Sequence, residues 1–341
     1  MQREFTLFLT FYSPFGRNVP PTVPSKPDVP SFDKVATILD FLSQEFDAVR
    51  IIGGEPFVIP FFNDILDFAS DRYRNITIES LGTGDVFRSA YLIKQHILEG
   101  ANIDVAFQFI DMDPSVNDKV VGHGSWESVI SSASLLQSTF DIHPKIILYV
   151  GSHSTHKYSL LANLGFDIIL RRAYGLKVTE RSMEAMFRLA QYESVTVDDC
   201  VLKAIQEGIP CSREQYVLDY DGNIYMSRYV PTTPIGNIFG MTMDDFLTTV
   251  SNAYEQIRNV QFGGKCARCA YIDICGGGDF HFWPDSQKKY DTVCPVHEEA
   301  VSELKVDTEP EQEGDEDYSD NEDYGVDEYD TEEEFIESLE E

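Results

Sequence analysis

The sequence lacks any apolar run long enough to cross a membrane. Its longest apolar stretches, such as 145–150 and 166–170, fall far short of the roughly 20 residues that a membrane-spanning helix requires. The N-terminal residues also lack a basic segment followed by an apolar one, which is the pattern of a secretory signal. From these two absences we expect a cytoplasmic protein that does not enter a membrane.

Cysteine is absent from the first 199 residues, and the six cysteines then follow as Cys200, Cys211, Cys266, Cys269, Cys275 and Cys294. Thiols of a cytoplasmic protein stay reduced, so a cluster of this kind binds a metal more often than it forms disulfides. Cys200 stands apart from the rest and is best interpreted as a reduced core cysteine.

Positive charge is scarce, with 26 Lys and Arg against 58 Asp and Glu and a net charge of -32. Residues 307–341 hold 19 of the acidic side chains and no Lys, Arg or His. The acidic body would repel phosphate backbones, which excludes nucleic acid as a partner. We expect the low-complexity segment 306–341 to be disordered. Two interpretations stay open for it: binding to a basic partner surface, or a solvated tail without a specific partner.

The first 200 residues alternate between apolar strand patterns and amphipathic helix patterns. The predicted strands cover 5–11, 48–52, 76–81, 103–110, 146–150 and 166–170. The predicted helices include 60–72, 85–98, 126–140, 156–164 and 179–192, and one that begins after Asp33 as its N-cap. Parallel βαβ units follow from this alternation, in an open doubly wound sheet or in a partial or full barrel.

The pattern changes after about residue 205. A hairpin is predicted at 220–225 around Asp221-Gly222 and a helix at 242–257, followed by loops rich in glycine and cysteine. We therefore predict an α/β domain over 1–205 and a small cysteine-rich domain over 206–305, before the acidic tail over 306–341. A chain of 341 residues with 43% hydrophobic content is large enough for two domains.

Four of the cysteines have the spacing of a metal site: Cys266-x2-Cys269-x5-Cys275, followed by Cys294 after 18 intervening residues. Thiolates are soft ligands that suit both iron–sulfur clusters and zinc. The three glycines after Cys275 would let the backbone pass close to a cluster. The spacing therefore predicts one metal site, either a [4Fe-4S] cluster or zinc.

A longer pattern resembles the SPASM domain of radical S-adenosylmethionine peptide maturases. It runs from Cys211 through Gly222 and Ser227 to the four cysteines above, with Asp279 after Cys275. The family pattern has seven cysteines for two auxiliary clusters, and Ser227 and Asp279 replace two of them. The resemblance implies that the cluster at Cys266, Cys269, Cys275 and Cys294 is retained and that the cluster involving Cys211 is lost.

Gly53-Gly54-Glu55-Pro56 after the second strand is similar to the family's GGEP motif, which holds the amino group of S-adenosylmethionine. The segments 82–84 and 113–125 also resemble the family. The resemblance covers residues 4 to about 300 and implies a partial (β/α)6 TIM-like barrel with these four residues as cofactor-binding candidates. Without it, the two glycines are also explained by an ordinary tight turn, and Glu55 by a helix-start carboxylate.

The family's radical chemistry requires three cysteines in a CxxxCxxC loop after the first strand. Residues 12–31 contain no cysteine. The resemblance therefore implies a degenerate member that does not cleave S-adenosylmethionine by itself, and leaves open whether it still binds that cofactor. Four other residues are not assigned to binding or catalysis. We interpret His153 and His156 as solvent-facing loop residues, and His281 and Trp283 as packing residues.

Three functions remain. The first is a SPASM-domain protein that binds a peptide or protein substrate in ribosomal peptide maturation, together with an active maturation enzyme. The second is a non-radical enzyme that binds S-adenosylmethionine or another amine-bearing ligand at Gly53–Pro56. The third is an interaction or scaffold protein with a structural zinc.

Overall fold

The computed structural model describes residues 3–11, 30–150, 165–172, 185–186, 188–190, 192, 194–208, 211, 214–227, 233–269, 271–278, 288–289 and 294. The chain divides into two units, 1–294 and 295–341, and the described residues all belong to the first. No helix among these residues is both long and apolar enough to span a bilayer.

Most strands belong to one mixed sheet, which has ten strands within the described ranges. Its members are β1 (Glu4–Thr10), β2 (Ala48–Gly53), β3 (Asn75–Ser80), β4 (Asn102–Phe109), β5 (Lys145–Val150), β6 (Asp167–Arg172), β7 (Val195–Val197), β8 (Tyr216–Asp219), β9 (Asn223–Tyr225) and β10 (Gly236–Asn237). The spatial order is β10-β9-β8-β1-β2-β3-β4-β5-β6-β7. All neighbours from β8 and β1 to β7 are parallel, while β9 is antiparallel to β8 and β10. A separate pair joins β11 (Gln261–Phe262) and β12 (Lys288–Lys289).

The helices are α1 (Phe32–Leu42), α2 (Phe62–Ser70), α3 (Val86–Leu98), α4 (Pro114–Val121), α5 (Ser125–Phe140), α6 (Cys200–Glu207), α7 (Met243–Arg258) and α8 (Ile272–Cys275). Short 3-10 helices lie at Pro56–Val58 and Gly264–Arg268. One face of the sheet packs with the helices because alternate strand residues are apolar. On β4, for example, Val105, Phe107 and Phe109 lie in the main core together with Ile93 of α3 and Leu136 of α5.

The other face of the sheet carries polar side chains that meet across several strands. Arg171 on β6 donates to both carboxylate oxygens of Glu79 on β3, each at 2.7 Å. Two strands separate β3 from β6, so a flat sheet would hold them about 14 Å apart with parallel side chains that do not converge. The contact is therefore made possible by strong curvature of the sheet, with its polar face on the inside.

The six predicted strands all form, in the predicted order, as β1 to β6. The sheet then extends beyond them, through β7 at one edge and through β8 to β10 at the other. The predicted hairpin forms from β8 and β9, and the predicted helix at 242–257 forms as α7. The sheet thus includes strands from the segment after residue 205, because β8 pairs in parallel with β1.

One local prediction is wrong. Asp33 does not cap α1, which begins at Phe32 after Ser31 in an extended conformation. The segment 114–121, for which no element is predicted, forms α4, because Asp113 accepts a hydrogen bond from the Ser115 backbone and Pro114 suits the first helical turn. The predicted helix 156–164 and most of 179–192 lie outside the described residues.

Candidate functional site

The turn after β2 joins the carboxyl ends of β1 and β2 closely. Gly53 has φ +120°, and a Cβ there would collide with the carbonyl oxygen of Thr10. The next N–H, of Gly54, donates to that same oxygen at 2.9 Å. Only glycine fits at position 53, because both the positive φ and the close approach exclude a side chain.

Glu55 is fully buried, and its carboxylate bridges the turn after β2 to the loop after β3. It accepts hydrogen bonds from the backbone N–H groups of Phe57, Leu81 and Thr83 at 2.9–3.1 Å. The hydroxyls of Ser80 and Thr83 donate to it as well, at 2.9 and 3.1 Å. The carboxylate of Glu55 thus holds two adjacent strand ends together.

Two opposing effects act on the proton affinity of Glu55. Burial raises its pKa, because the charged form loses its hydration. The hydrogen bonds from Phe57, Thr83, Ser80 and Leu81 lower it, and the balance raises the pKa of Glu55 to about 7. Glu55 therefore titrates near neutral pH while it stays sealed from solvent.

The loop after β3 is fixed from a second side by α5. The hydroxyls of Ser128 and Ser132 donate to the carbonyl oxygen of Gly82 at 2.7 and 2.6 Å. Gly84 passes so close to Phe57 that a Cβ would lie 2.6 Å from the carbonyl oxygen of that residue. The ends of β2 and β3 and the start of α5 thus form one rigid rim.

The segment after β4 is fixed by two polar side chains. Asn117 accepts from the backbone of Ile110 and donates to the hydroxyl of Ser125. Asp118 accepts hydrogen bonds from the backbone N–H groups of Gly124 and Trp126. Desolvation raises the pKa of Asp118, but these two bonds and those from Ser125 and His123 outweigh it, so the pKa is lowered. Asp118 acts as a helix cap for α5, although it lies outside the helix that it caps.

The inner face of the sheet carries four polar residues that are each the penultimate residue of a strand: Glu79, Gln108, Tyr149 and Arg171. We call them the polar layer. Strand register places them on the same face. Glu79 pairs with Ala106, which lies two residues before Gln108 on β4. Gln108 pairs with Ile147, which lies two residues before Tyr149 on β5. Tyr149 in turn pairs with Arg171. The polar layer lies directly beneath the carboxyl ends of the strands, which we call the mouth.

Charges in and around the polar layer are paired. Arg171 contacts Asp198 at 2.8 Å in addition to Glu79, and Arg50 donates to Glu79 at 2.7 Å. Burial lowers the pKa of Arg171, but the carboxylates of Glu79 and Asp198 and the nearby Tyr149 raise it well above its ordinary value. The layer therefore holds fixed, mutually neutralised charges.

Gln108 is the exception within the polar layer. Its side chain is 8% exposed, and among the described residues no group donates a hydrogen bond to its buried Oε1. A buried acceptor without a partner costs about 1–3 kcal/mol, so native proteins rarely keep one. Gln108 can therefore accept a hydrogen bond from a ligand N–H or O–H in the mouth.

The cysteines differ from the predicted arrangement. Cys200, expected to be a reduced core thiol, forms a disulfide with Cys211 across a Cα–Cα distance of 5.0 Å. The Sγ of Cys211 also lies 3.9 Å from the Sγ of Cys275. The described residues include all four predicted metal ligands, yet they contain no group of three or more His, Cys, Asp or Glu arranged to hold a metal. In this conformation the Sγ of Cys275 lies next to that of Cys211, and the role of the four thiols as metal ligands stays a prediction.

No family model and no curated protein matches this sequence. Solved structures do match. SuiB of Streptococcus suis, bound to S-adenosylmethionine, has a TM-score of 0.69 and 14% identity over 87% of this chain and 78% of its own. SuiB bound to the precursor peptide SuiA has a TM-score of 0.66, with 15% identity over 87% and 76%. The protein anSMEcpe with bound AdoMet also has a TM-score of 0.66, with 13% identity over 84% and 93%.

The chain shares the fold of these proteins. Identities of 13–15% are too low to carry more than the fold. In such folds, ligands bind at the carboxyl ends of the parallel strands, where the loops meet. The rim and the polar layer of this chain are therefore its candidate ligand-binding site.

The other sequence-based candidates fall into two groups. Gly53, Gly54, Glu55 and Pro56 lie together at the mouth, and their role as cofactor ligands stays a prediction. His153, His156, Asp279, His281 and Trp283 lie outside the described residues, as does most of the loop 12–31.

The polar layer was missed by sequence reasoning. Its signal is a single polar residue near the end of an otherwise apolar strand, as in Gln108 of NIDVAFQF and Glu79 of NITIES. Such a residue is usually interpreted as solvent-facing, and only the register of the curved sheet brings these side chains together.

Proposed function

We propose that this chain binds a peptide or protein substrate in the maturation of ribosomally made peptides, as a SPASM-type protein that does not itself cleave S-adenosylmethionine. The observation that carries the proposal is the fold shared over 87% of the chain with SuiB bound to its precursor peptide. anSMEcpe, of the same fold, is likewise bound to a peptide. The mouth is the proposed binding site.

Radical chemistry is left to a separate maturation enzyme in this proposal. The family that the sequence resembles needs three thiolates in the loop after its first strand, and this chain has no cysteine before Cys200. A thiolate-bound cluster cannot be assembled there from its own side chains. Purified protein reduced anaerobically with dithionite should therefore yield no 5′-deoxyadenosine from S-adenosylmethionine, and its formation at any catalytic rate would overturn this part.

In the proposed role, the described residues position a peptide rather than react with it. The amide of Gln108 supplies an acceptor for a peptide N–H, because its Oε1 has no donor among the described protein groups. The charged members of the polar layer are already paired, so they favour a neutral backbone over a charged group. The rim built by Glu55 keeps the mouth in shape before the peptide arrives, which lowers the entropy cost of binding.

Selection from a displayed library of random linear peptides tests this role. Peptides enriched on the full chain should bind Gln108→Ala about 5- to 150-fold more weakly, which follows from the roughly 1–3 kcal/mol of an unsatisfied buried acceptor. Gln95→Ala on the exposed surface of α3 is the matched control and should bind like the wild type. Failure to enrich any peptide, or equal binding by the Gln108 variant, would contradict peptide binding at this mouth.

A non-radical enzyme that binds S-adenosylmethionine is the second candidate, favoured by the cofactor bound to SuiB and anSMEcpe. Calorimetric titration with S-adenosylmethionine distinguishes it, since Glu55→Ala should abolish binding at Gly53–Pro56. The five protein groups that already donate to Glu55 count against a direct contact with a ligand amine.

The predicted metal site at Cys266, Cys269, Cys275 and Cys294 stays part of the proposal. Metal analysis of anaerobically purified protein decides its content: about four iron and four sulfide per chain indicate a [4Fe-4S] cluster. About one zinc without iron would instead favour the third function, an interaction protein with a structural metal.

A further inference from the structure

Three sulfur atoms meet where the segment after α6 crosses the end of α8. Cys211 is bonded to Cys200 and lies 3.9 Å from the Sγ of Cys275. The N–H of Cys211 also donates to the carbonyl oxygen of Cys275 at 3.2 Å, so the backbones are held together as well as the sulfurs. Cys211 is therefore the shared neighbour of two other cysteines.

The two outer cysteines are fixed on helices that pack against each other. Cys200 is the first residue of α6, whose N-terminus is capped by Asp199 through the N–H groups of Val201 and Leu202. Asp199 is itself anchored to the end of β6 by a buried ion pair with Arg172 at 2.8 Å. Cys275 is the last residue of α8, and α8 packs on α6. Both outer cysteines are therefore held next to Cys211 by helices that contact each other.

We propose that Cys200, Cys211 and Cys275 form a thiol–disulfide exchange site in which Cys211 pairs with either neighbour. The thiolate of Cys275 attacks the Sγ of Cys211, the Cys211–Cys275 bond forms, the Cys200–Cys211 bond breaks, and Cys200 leaves as a thiolate. One thiolate and one disulfide enter and leave this step, so it needs no oxidant or reductant.

The exchange competes with the predicted metal site. A thiol ligates a metal only as a thiolate, so Cys275 in a disulfide is lost to the set that it would share with Cys266, Cys269 and Cys294. Cys275 contacts Cys211 in this conformation, and among the described residues no group of three or more His, Cys, Asp or Glu is arranged to hold a metal. Metal loading therefore depends on which partner Cys211 has.

The test uses the metal-free full chain, treated with oxidised glutathione and mapped for disulfides by mass spectrometry. Wild-type protein and the control Cys269→Ser should both yield Cys200–Cys211. Cys200→Ser should instead yield Cys211–Cys275, because Cys275 is then the nearest partner. Absence of that bond in Cys200→Ser, with each thiol blocked by glutathione instead, would overturn the proposal.

Zinc binding supplies the second readout. Oxidised Cys200→Ser should bind Zn²⁺ at least tenfold more weakly than the reduced variant, whereas the double variant Cys200→Ser, Cys211→Ser should bind equally well in both states. Circular dichroism of each sample confirms that it is folded. An equal loss in the double variant would show that oxidation acts elsewhere, and would also overturn the proposal. Neither readout involves a peptide, so failure here is distinct from failure of the proposed function.

Discussion

Replacing Glu55 by glutamine should change how the stability of the protein depends on pH. Burial raises the pKa of Glu55 to about 7, from an ordinary value of 4.5. Between these values the folded state retains a proton that the unfolded state has released. The stability from this proton is fully present below pH 4.5 and is lost as pH rises through 7.

The size of the effect follows from the difference in pKa. Each unit of pKa corresponds to about 1.4 kcal/mol, so the contribution of Glu55 falls by on the order of 3 kcal/mol between pH 4.5 and 8. Glutamine has nearly the same shape but does not titrate in this range. The unfolding free energy of wild type minus that of Glu55→Gln should therefore decrease by this amount as pH rises.

Urea unfolding of both proteins from pH 4.5 to 8, followed by circular dichroism, measures this difference and cancels the titration of all other groups. Ser80→Ala is an informative second variant, because it removes a hydroxyl donor that lowers the pKa of Glu55. The pKa of Glu55 should therefore be higher in Ser80→Ala than in the wild type, and the decrease of stability with pH should continue to a higher pH. A difference that is flat with pH would show that the five donor groups balance burial, and one that increases with pH would show that they outweigh it; either result would refute the reasoning.

Three further predictions concern other parts of the chain. Glu79→Gln should lower the unfolding free energy by about 3–5 kcal/mol in urea titrations, since it removes the carboxylate that the buried Arg171 and the partly buried Arg50 share. The control Glu45→Gln, which breaks an exposed ion pair, should cost below about 1 kcal/mol. Cys266→Ala or Cys294→Ala should each reduce metal content and the melting temperature because metal binding is coupled to folding, and unchanged values in both would contradict the site. Deleting 307–341 should leave the melting temperature unchanged, and a large decrease would show that this segment docks on the fold.

Sequence patterns predicted the regular elements more reliably than their ends. The strands β1 to β6 follow from short apolar runs separated by amphipathic helices, since each strand must bury one face against helices. The predicted start of α1 is two residues too late because Asp33 is a favourable cap residue, yet Ser31 occupies the cap position. Helix α4 was missed because its residues carry little apolar periodicity, and its start depends on the local cap by Asp113.

The site was predicted only in part. The turn Gly53-Gly54 was found because a pair of glycines after a strand indicates a tight turn, and the structure adds the reason, which is the close approach to Thr10. The role of Glu55 as a bridge was not predicted, since four of its five donor groups come from residues 80–83 on another strand end. Contacts between distant segments leave no pattern in a single sequence.

By itself the sequence determined the alternating α/β class, the absence of any thiolate before Cys200 and the segregation of acidic charge into the last 35 residues, because composition and periodicity are local properties. Only the tertiary structure decided that Glu79 meets Arg171 and that Cys211 lies between Cys200 and Cys275. The first depends on the curvature of a sheet and the second on the packing of two short helices. Both are results of how the whole chain buries its apolar surface.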